Sequence, residues 1–138
     1  PVVSSGGALV DGLKVMEAKQ MAVSTPFLKP LTQLVCDYLE AEGFRVMDAV
    51  SLEIPDNLEV ARQDPMAPLA LVDRLALGGV DTIVASACVQ MPSLPAVQAI
   101  EDKTGIPTVS AAVATTHQMM RALRIETRMP GVGALFQR

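Results

Sequence analysis

The segment Asp81-Thr82-Ile83-Val84-Ala85-Ser86-Ala87-Cys88-Val89-Gln90-Met91-Pro92-Ser93-Leu94-Pro95-Ala96-Val97-Gln98-Ala99-Ile100 decides the architecture. Its first five residues form a short apolar run bounded by turn signals, the pattern of a buried strand. Residues 86–92 then read as a loop, and residues 93–103 as a helix that Gly105 closes. Pro107 to Ser110 is another strand. A strand, a helix and a strand in so short a span run parallel, because the helix carries the chain back to the same edge.

Outward from this unit the pattern continues. Residues 5–17 place Leu9, Val10, Leu13 and Met16 at helical spacing. Residues 20–24 are a short apolar strand stopped by Thr25-Pro26. Residues 30–42 form an amphipathic helix with Leu31, Leu34, Val35, Tyr38 and Leu39 on one face, ended by Gly43. Residues 44–52 read as a strand. Glu53 to Pro68 is polar, holds three prolines and is long for a connection, which leaves room for a short helix. Residues 69–77 are a helix closed by Gly78-Gly79, and residues 114–123 another. The tail 129–138, with Gly131 and Gly133, reads as irregular. Strand and helix alternate four times, which predicts an α/β fold: one domain over 1–138, a parallel sheet of about four strands, helices on both faces. Ligands of such sheets bind beyond the carboxyl ends of the strands. Residues 25–27, 54–57, 86–90 and 110–116 are therefore the places to look for chemistry.

Composition bounds the function. Half the residues are hydrophobic and 3% are aromatic, so Val, Leu, Ala, Ile and Met must fill the core. The net charge is −4 and no basic stripe is present, which argues against a nucleic-acid partner. No apolar run is long enough to span a bilayer, and no signal-peptide pattern is visible. Cys36 and Cys88 lack metal spacing and suggest no disulfide framework, so a reducing cytoplasm is expected. The chain opens Pro1-Val2-Val3-Ser4-Ser5 without Met, as a fragment, a processed chain or a trimmed one would.

Cys88 is the sharpest candidate. It follows a buried strand and precedes a helix by a few residues. Turn N–H groups and the helix N-terminus there favour a thiolate and an anion. The bland alternative is a small buried apolar residue, and position alone leaves both readings open. Cys36 lies mid-helix, where packing is the better account. His117, the one histidine, reads as a partly exposed helix residue with no second ligand for a metal. Asn57 offers an uncharged amide to a carboxylate, although the local pattern favours Asp56 or Asn57 as the cap of a short helix. Met91 and Met119-Met120 read as core filler. Gly131-Val132-Gly133 does not stand between a strand and a helix, so no dinucleotide site is expected.

Ser86-Ala87-Cys88-Val89-Gln90-Met91-Pro92-Ser93-Leu94-Pro95-Ala96 resembles the second cysteine motif of bacterial maleate isomerases. These belong to the aspartate/glutamate racemase superfamily, with arylmalonate decarboxylase among their relatives. Four other segments agree in the same order: 4–10, 25–32 (Thr-Pro-Phe-Leu-Lys-Pro-Leu-Thr), 52–58 (Leu-Glu-Ile-Pro-Asp-Asn-Leu) and 130–135. The resemblance covers essentially the whole chain.

It implies a racemase-like half domain, the second of two similar halves that each give one cysteine to a shared cleft. It implies cofactor-independent isomerisation of maleate to fumarate through a covalent cysteine adduct. The position of Cys88 supplies the proton, while the attacking cysteine belongs to the first half. Asn57 becomes a substrate-binding position, and the backbone from Ser86 to Val89 faces a substrate carboxylate. No metal or other cofactor is implied. The partners expected are maleate, the missing N-terminal half or a partner chain, and further copies in a homo-oligomer. One departure concerns Phe27, where the family carries tyrosine. The ring is kept and the hydroxyl donor is lost, at a cost of about 1–3 kcal/mol if nothing replaces it. The alternatives are another enzyme of the superfamily, a racemase or a one-cysteine decarboxylase, and an inactive half domain.

Overall fold

A computed structural model describes Pro1–Arg138. Helix α1 (Ser5–Val15) begins where Ser4 Oγ accepts the Gly7 N–H at 3.2 Å. Strand β1 (Gln20–Thr25) follows, then helix α2 (Lys29–Ala41), which has Pro30 in its first turn and Gly43 beyond its end at φ +96°. Strand β2 (Arg45–Ser51) leads into the polar connection. This holds two short helices, α3 (Asn57–Ala61) and α4 (Ala67–Leu71), the second extended by a 3₁₀ turn at Val72–Arg74. The helix expected over 69–77 is thus shorter and shifted, because Pro68 opens it early. Strand β3 (Thr82–Ser86), helix α5 (Leu94–Thr104), strand β4 (Thr108–Ser110) and helix α6 (Ala111–Ala122) complete the regular elements. Helix α6 starts three residues before its apolar pattern, since Ser110 Oγ accepts the Val113 N–H and caps it.

All four strands are parallel, in the order β2-β1-β3-β4. Side-chain alternation divides the core between two faces. Met21, Val23, Val84 and Val109 meet Leu9 and Leu13 of α1, Leu39 of α2 and Val113 of α6. Ala22, Ile83 and Ala85 meet Val60 of α3, Leu71 of α4, and Ala96 and Ile100 of α5. No helix is long and apolar enough to cross a membrane.

Two sequence expectations give way here. The tail is ordered: Ala134–Gln137 forms a 3₁₀ turn that buries Leu135 and Phe136 in the first cluster. The Glu101 carboxylate pins it by accepting the N–H groups of Ala134 and Thr108, both at 2.8 Å. Helix α2 is rotated from its apolar stripe. It buries Thr32, Cys36 and Leu39, while Leu31, Leu34 and Tyr38 face outward, Leu34 being 62% exposed. Thr32 sets this rotation, because its hydroxyl meets Thr25 Oγ1 at 2.7 Å and accepts from Ser51 Oγ at 2.6 Å.

Candidate functional site

The chain leaves β1 for β2 on one side and later returns to β3 on the other. The order of connection therefore reverses between β1 and β3, and it is beyond the carboxyl ends of the strands at such a reversal that open α/β sheets bind ligands. Phe27 follows β1 and Cys88 follows β3, so the two lie on either side of that reversal. Asn57 begins α3, after β2.

The turn at Cys88 is built by main-chain and hydroxyl bonds. The Ala87 N–H donates to the Ser24 carbonyl at 3.0 Å. Ser86 Oγ accepts the Cys88 N–H and donates to the Cys88 carbonyl, each at 3.2 Å. Ser24 Oγ donates to the Ala85 carbonyl from the neighbouring strand. These bonds consume two of the N–H groups expected to face a carboxylate, those of Ala87 and Cys88. The N–H groups of Val89 and Gln90 bond to nothing in the chain.

Cys88 itself is buried, 9% exposed, and packs in the second core cluster with Met91 and Ala85. Val89, by contrast, is 44% exposed. Val89 and Met91 line a cavity of about 610 Å³ whose other walls include Leu94, Val113, Thr116 and Phe136. No charged side chain lines it. Cys88 itself is not among the residues that line this cavity; its neighbours Val89 and Met91 are.

Phe27 is half-buried against the same cluster as Cys88. Its N–H donates to Thr25 Oγ1 at 3.2 Å, and its carbonyl accepts the Glu53 N–H at 3.1 Å. The loops after β1 and β2 are thereby fastened together. Asp56, not Asn57, caps α3 by accepting the Leu58 N–H at 2.9 Å. The side-chain amide of Asn57 is exposed and makes no hydrogen bond within the chain. Its carbonyl accepts from Gln90 Nε2 at 2.8 Å.

Gln90, Ser86 and the pair Ser93 and Ser110 carry structure at the site that the sequence reading passed over. Ser93 Oγ donates to Ser110 Oγ at 2.8 Å, joining the end of the cysteine loop to the cap of α6. One of these had a local signal. A serine two residues before the residue it holds is the spacing of a hydroxyl-closed turn.

Cys36 and His117 stand apart. Cys36 is buried on α2, where burial first, then the carboxylates of Glu40 and Asp37, push its thiol pKa above the usual value. His117 is buried, against the expectation of partial exposure, because the ordered tail brings Phe136 edge-on to its ring at 5.2 Å. Burial, with the Arg121 guanidinium, lowers its pKa. No three His, Cys, Asp or Glu side chains converge closely enough to hold a metal ion.

The family model described as arylmalonate decarboxylase matches residues 1–136. A curated maleate isomerase from Pseudomonas putida is 55% identical over 135 residues, covering 98% of this chain and 54% of that protein. A solved Pseudomonas putida maleate isomerase with maleate is 50% identical, with a TM-score of 0.94, covering 99% of this chain and 54% of that one. A Nocardia farcinica maleate cis-trans isomerase, a cysteine-to-serine variant with a covalently bound succinylcysteine intermediate, is 43% identical with a TM-score of 0.92. The match covers 97% of this chain and 55% of that one. The chain therefore spans about half the length of the relatives it matches.

Proposed function

Because the chain belongs to the arylmalonate decarboxylase family, we propose that it is the second half of a maleate cis-trans isomerase, with Cys88 as the thiol that gives and retrieves a proton. The observation that carries this reading is 55% identity to a curated maleate isomerase across 98% of the chain. A cysteine beside the reversal point of the sheet fits it, and so does the succinylcysteine held by the Nocardia relative.

The chemistry follows from one obstacle. Maleate cannot rotate about its double bond until the bond order falls. A thiolate from outside this chain's crevice residues adds to one alkene carbon, and the neighbouring carbon takes the proton of Cys88. The product is a succinyl thioether whose central carbon–carbon bond is single and rotates. Cys88, now a thiolate, removes a proton from the carbon it protonated. The carbon–sulfur bond breaks, its electron pair returns to the attacking sulfur, and fumarate leaves. Atoms and electrons balance with no oxidant or reductant.

The substrate carries two negative charges. In this reading the free N–H groups at Val89 and Gln90 and the unpaired amide of Asn57 receive carboxylate oxygens. Phe27 covers the crevice with a ring that brings no donor. The attacking thiol comes from a first half or from a partner chain, since Cys36 lies midway along α2 and not at the carboxyl end of a strand. The outward apolar stripe of α2 and the uncharged cavity beside Val89 suit further polypeptide.

The test is fumarate formation from maleate, followed by proton NMR. It is run on the chain alone and on the chain co-expressed with the first half of a related maleate isomerase. Turnover is expected only in the second case. Sustained turnover by the chain alone would overturn the two-thiol assignment, and its absence from an assembled pair would overturn the isomerase.

A second reading rests on the cavity. Apolar walls without a charged group suit an aryl substituent. A decarboxylase needs one thiol: an arylmalonate loses carbon dioxide, and the carbanion left behind takes the Cys88 proton. Conversion of phenylmalonate to phenylacetate by the chain would favour this reading over the first.

A further inference from the structure

We propose that Ser86 is the positioning residue for Cys88. The inference rests on the reading of Cys88 as the reacting thiol. Ser86 is the last residue of β3 and is fully buried. Its single hydroxyl is bonded to both backbone polar groups of Cys88: it accepts the N–H and donates to the carbonyl, each at 3.2 Å. A small side chain that closes a turn on the residue two places ahead fixes that residue's backbone, and with it the direction of the Cα–Cβ bond.

A second observation agrees. The pairing of β3 with β4 slips here, Val84 opposing Val109 but Ser86 opposing Ser110, so Ala85 is an extra residue on the β3 side. Such a slip bends and twists a strand and re-aims the side chains beyond it. With Ala87 held by the Ser24 carbonyl, the residues at 86, 87 and 88 are all anchored, and the first free N–H is that of Val89. Ser86 thereby divides the turn into a fixed part that carries the thiol and an open part that can meet an anion.

The unsubstituted chain provides one test. Amide hydrogen exchange should be at least tenfold slower at Cys88 than at Val89, and equal rates would overturn the proposal. Ser86→Ala provides another. Without the hydroxyl the turn loosens over a thiol that is now covered. Iodoacetamide should then alkylate Cys88 at least fivefold faster, read by peptide mass spectrometry, while Cys36 alkylation stays within twofold. Ser86→Thr keeps the oxygen and should restore the parent rate. A Cys88 rate unchanged in Ser86→Ala, or a rise shared equally by Cys36, would overturn the role. Neither readout uses maleate, so a failed isomerase reading and a failed Ser86 assignment give different results.

Discussion

Gln90 donates from Nε2 to the carbonyl of Asn57 at 2.8 Å, joining the loop after β3 to the first residue of α3. The strands that feed these two loops are not neighbours, because β1 lies between them. The spacing between the proposed proton donor and the proposed substrate amide therefore depends on a bond that crosses the end of β1. Both residues are exposed, so the bond competes with water and contributes about 0.5–1.5 kcal/mol. In an assembled, active isomerase Gln90→Leu is expected to raise KM for maleate about two- to tenfold, with kcat within twofold. An unchanged KM in steady-state assays would show that the loops hold their register without it.

Phe27 offers a gain of function. Its main chain is held on both sides, by Thr25 Oγ1 and by the Glu53 N–H, so the ring position does not depend on a hydroxyl. Phe27→Tyr adds a donor at the crevice with little change in shape. If the added oxygen reaches the substrate, the gain is about 1 kcal/mol, a roughly fivefold rise in kcat/KM for maleate. A rate equal to or below the parent would mean that the substrate lies elsewhere.

The two cysteines make opposite predictions. Cys88→Ser should lower fumarate formation by at least about a thousandfold, because a hydroxyl is a far weaker acid than a thiol and cannot cycle its proton. Cys36→Ala should leave turnover within twofold, since that side chain lies midway along α2 rather than at a strand end. The Cys36 thiol is held protonated above its usual pKa of 9.0. Its alkylation should therefore rise only in more alkaline solution. Full activity in Cys88→Ser would remove that residue from the reaction.

Much of this was legible in the residues, and the reasons for the exceptions are physical. The four strands and their parallel sense followed from apolar runs alternating with helical periods, and Cys88 stood out by its place between strand and helix. The rotation of α2 did not show, because Thr32 is drawn inward by the hydroxyls of Thr25 and Ser51, partners 7 and 19 residues away. Local periodicity cannot see such bonds. The tail looked irregular because its order comes from Glu101, on α5, accepting the Ala134 N–H. The same docking buried His117, which the helix alone would have left in part exposed. Gln90 was missed since its partner, the Asn57 carbonyl, belongs to a different crossover.

Gly133 tests the tail. Its φ is +93°, and an added Cβ would lie 2.5 Å from Val97 Cγ1 and 3.2 Å from the Thr108 carbonyl oxygen. Strain in the backbone and overlap with α5 and β4 should together cost Gly133→Ala about 2–4 kcal/mol. The thermal midpoint should fall by roughly 8–16 °C. A fall under about 3 °C by calorimetry would mean that the tail undocks without unfolding the sheet.

His117 makes stability depend on pH. In the folded chain its pKa lies below the 6.5 of an unfolded histidine, because burial first, and Arg121 second, disfavour the charged ring. The unfolded chain then binds the proton more readily, so folding is weakened wherever that proton is available. The full contribution is present above pH 6.5 and is lost as pH falls through the folded value. The cause is local: protonation would place a cation among Phe136 and the first core cluster. His117→Phe removes the titrating group and keeps a ring beside Phe136. In urea titrations between pH 7.5 and 5, the parent should lose more stability than His117→Phe. Parallel curves for the two proteins would mean that the ring is hydrated in the folded state and that Phe136 does not shield it.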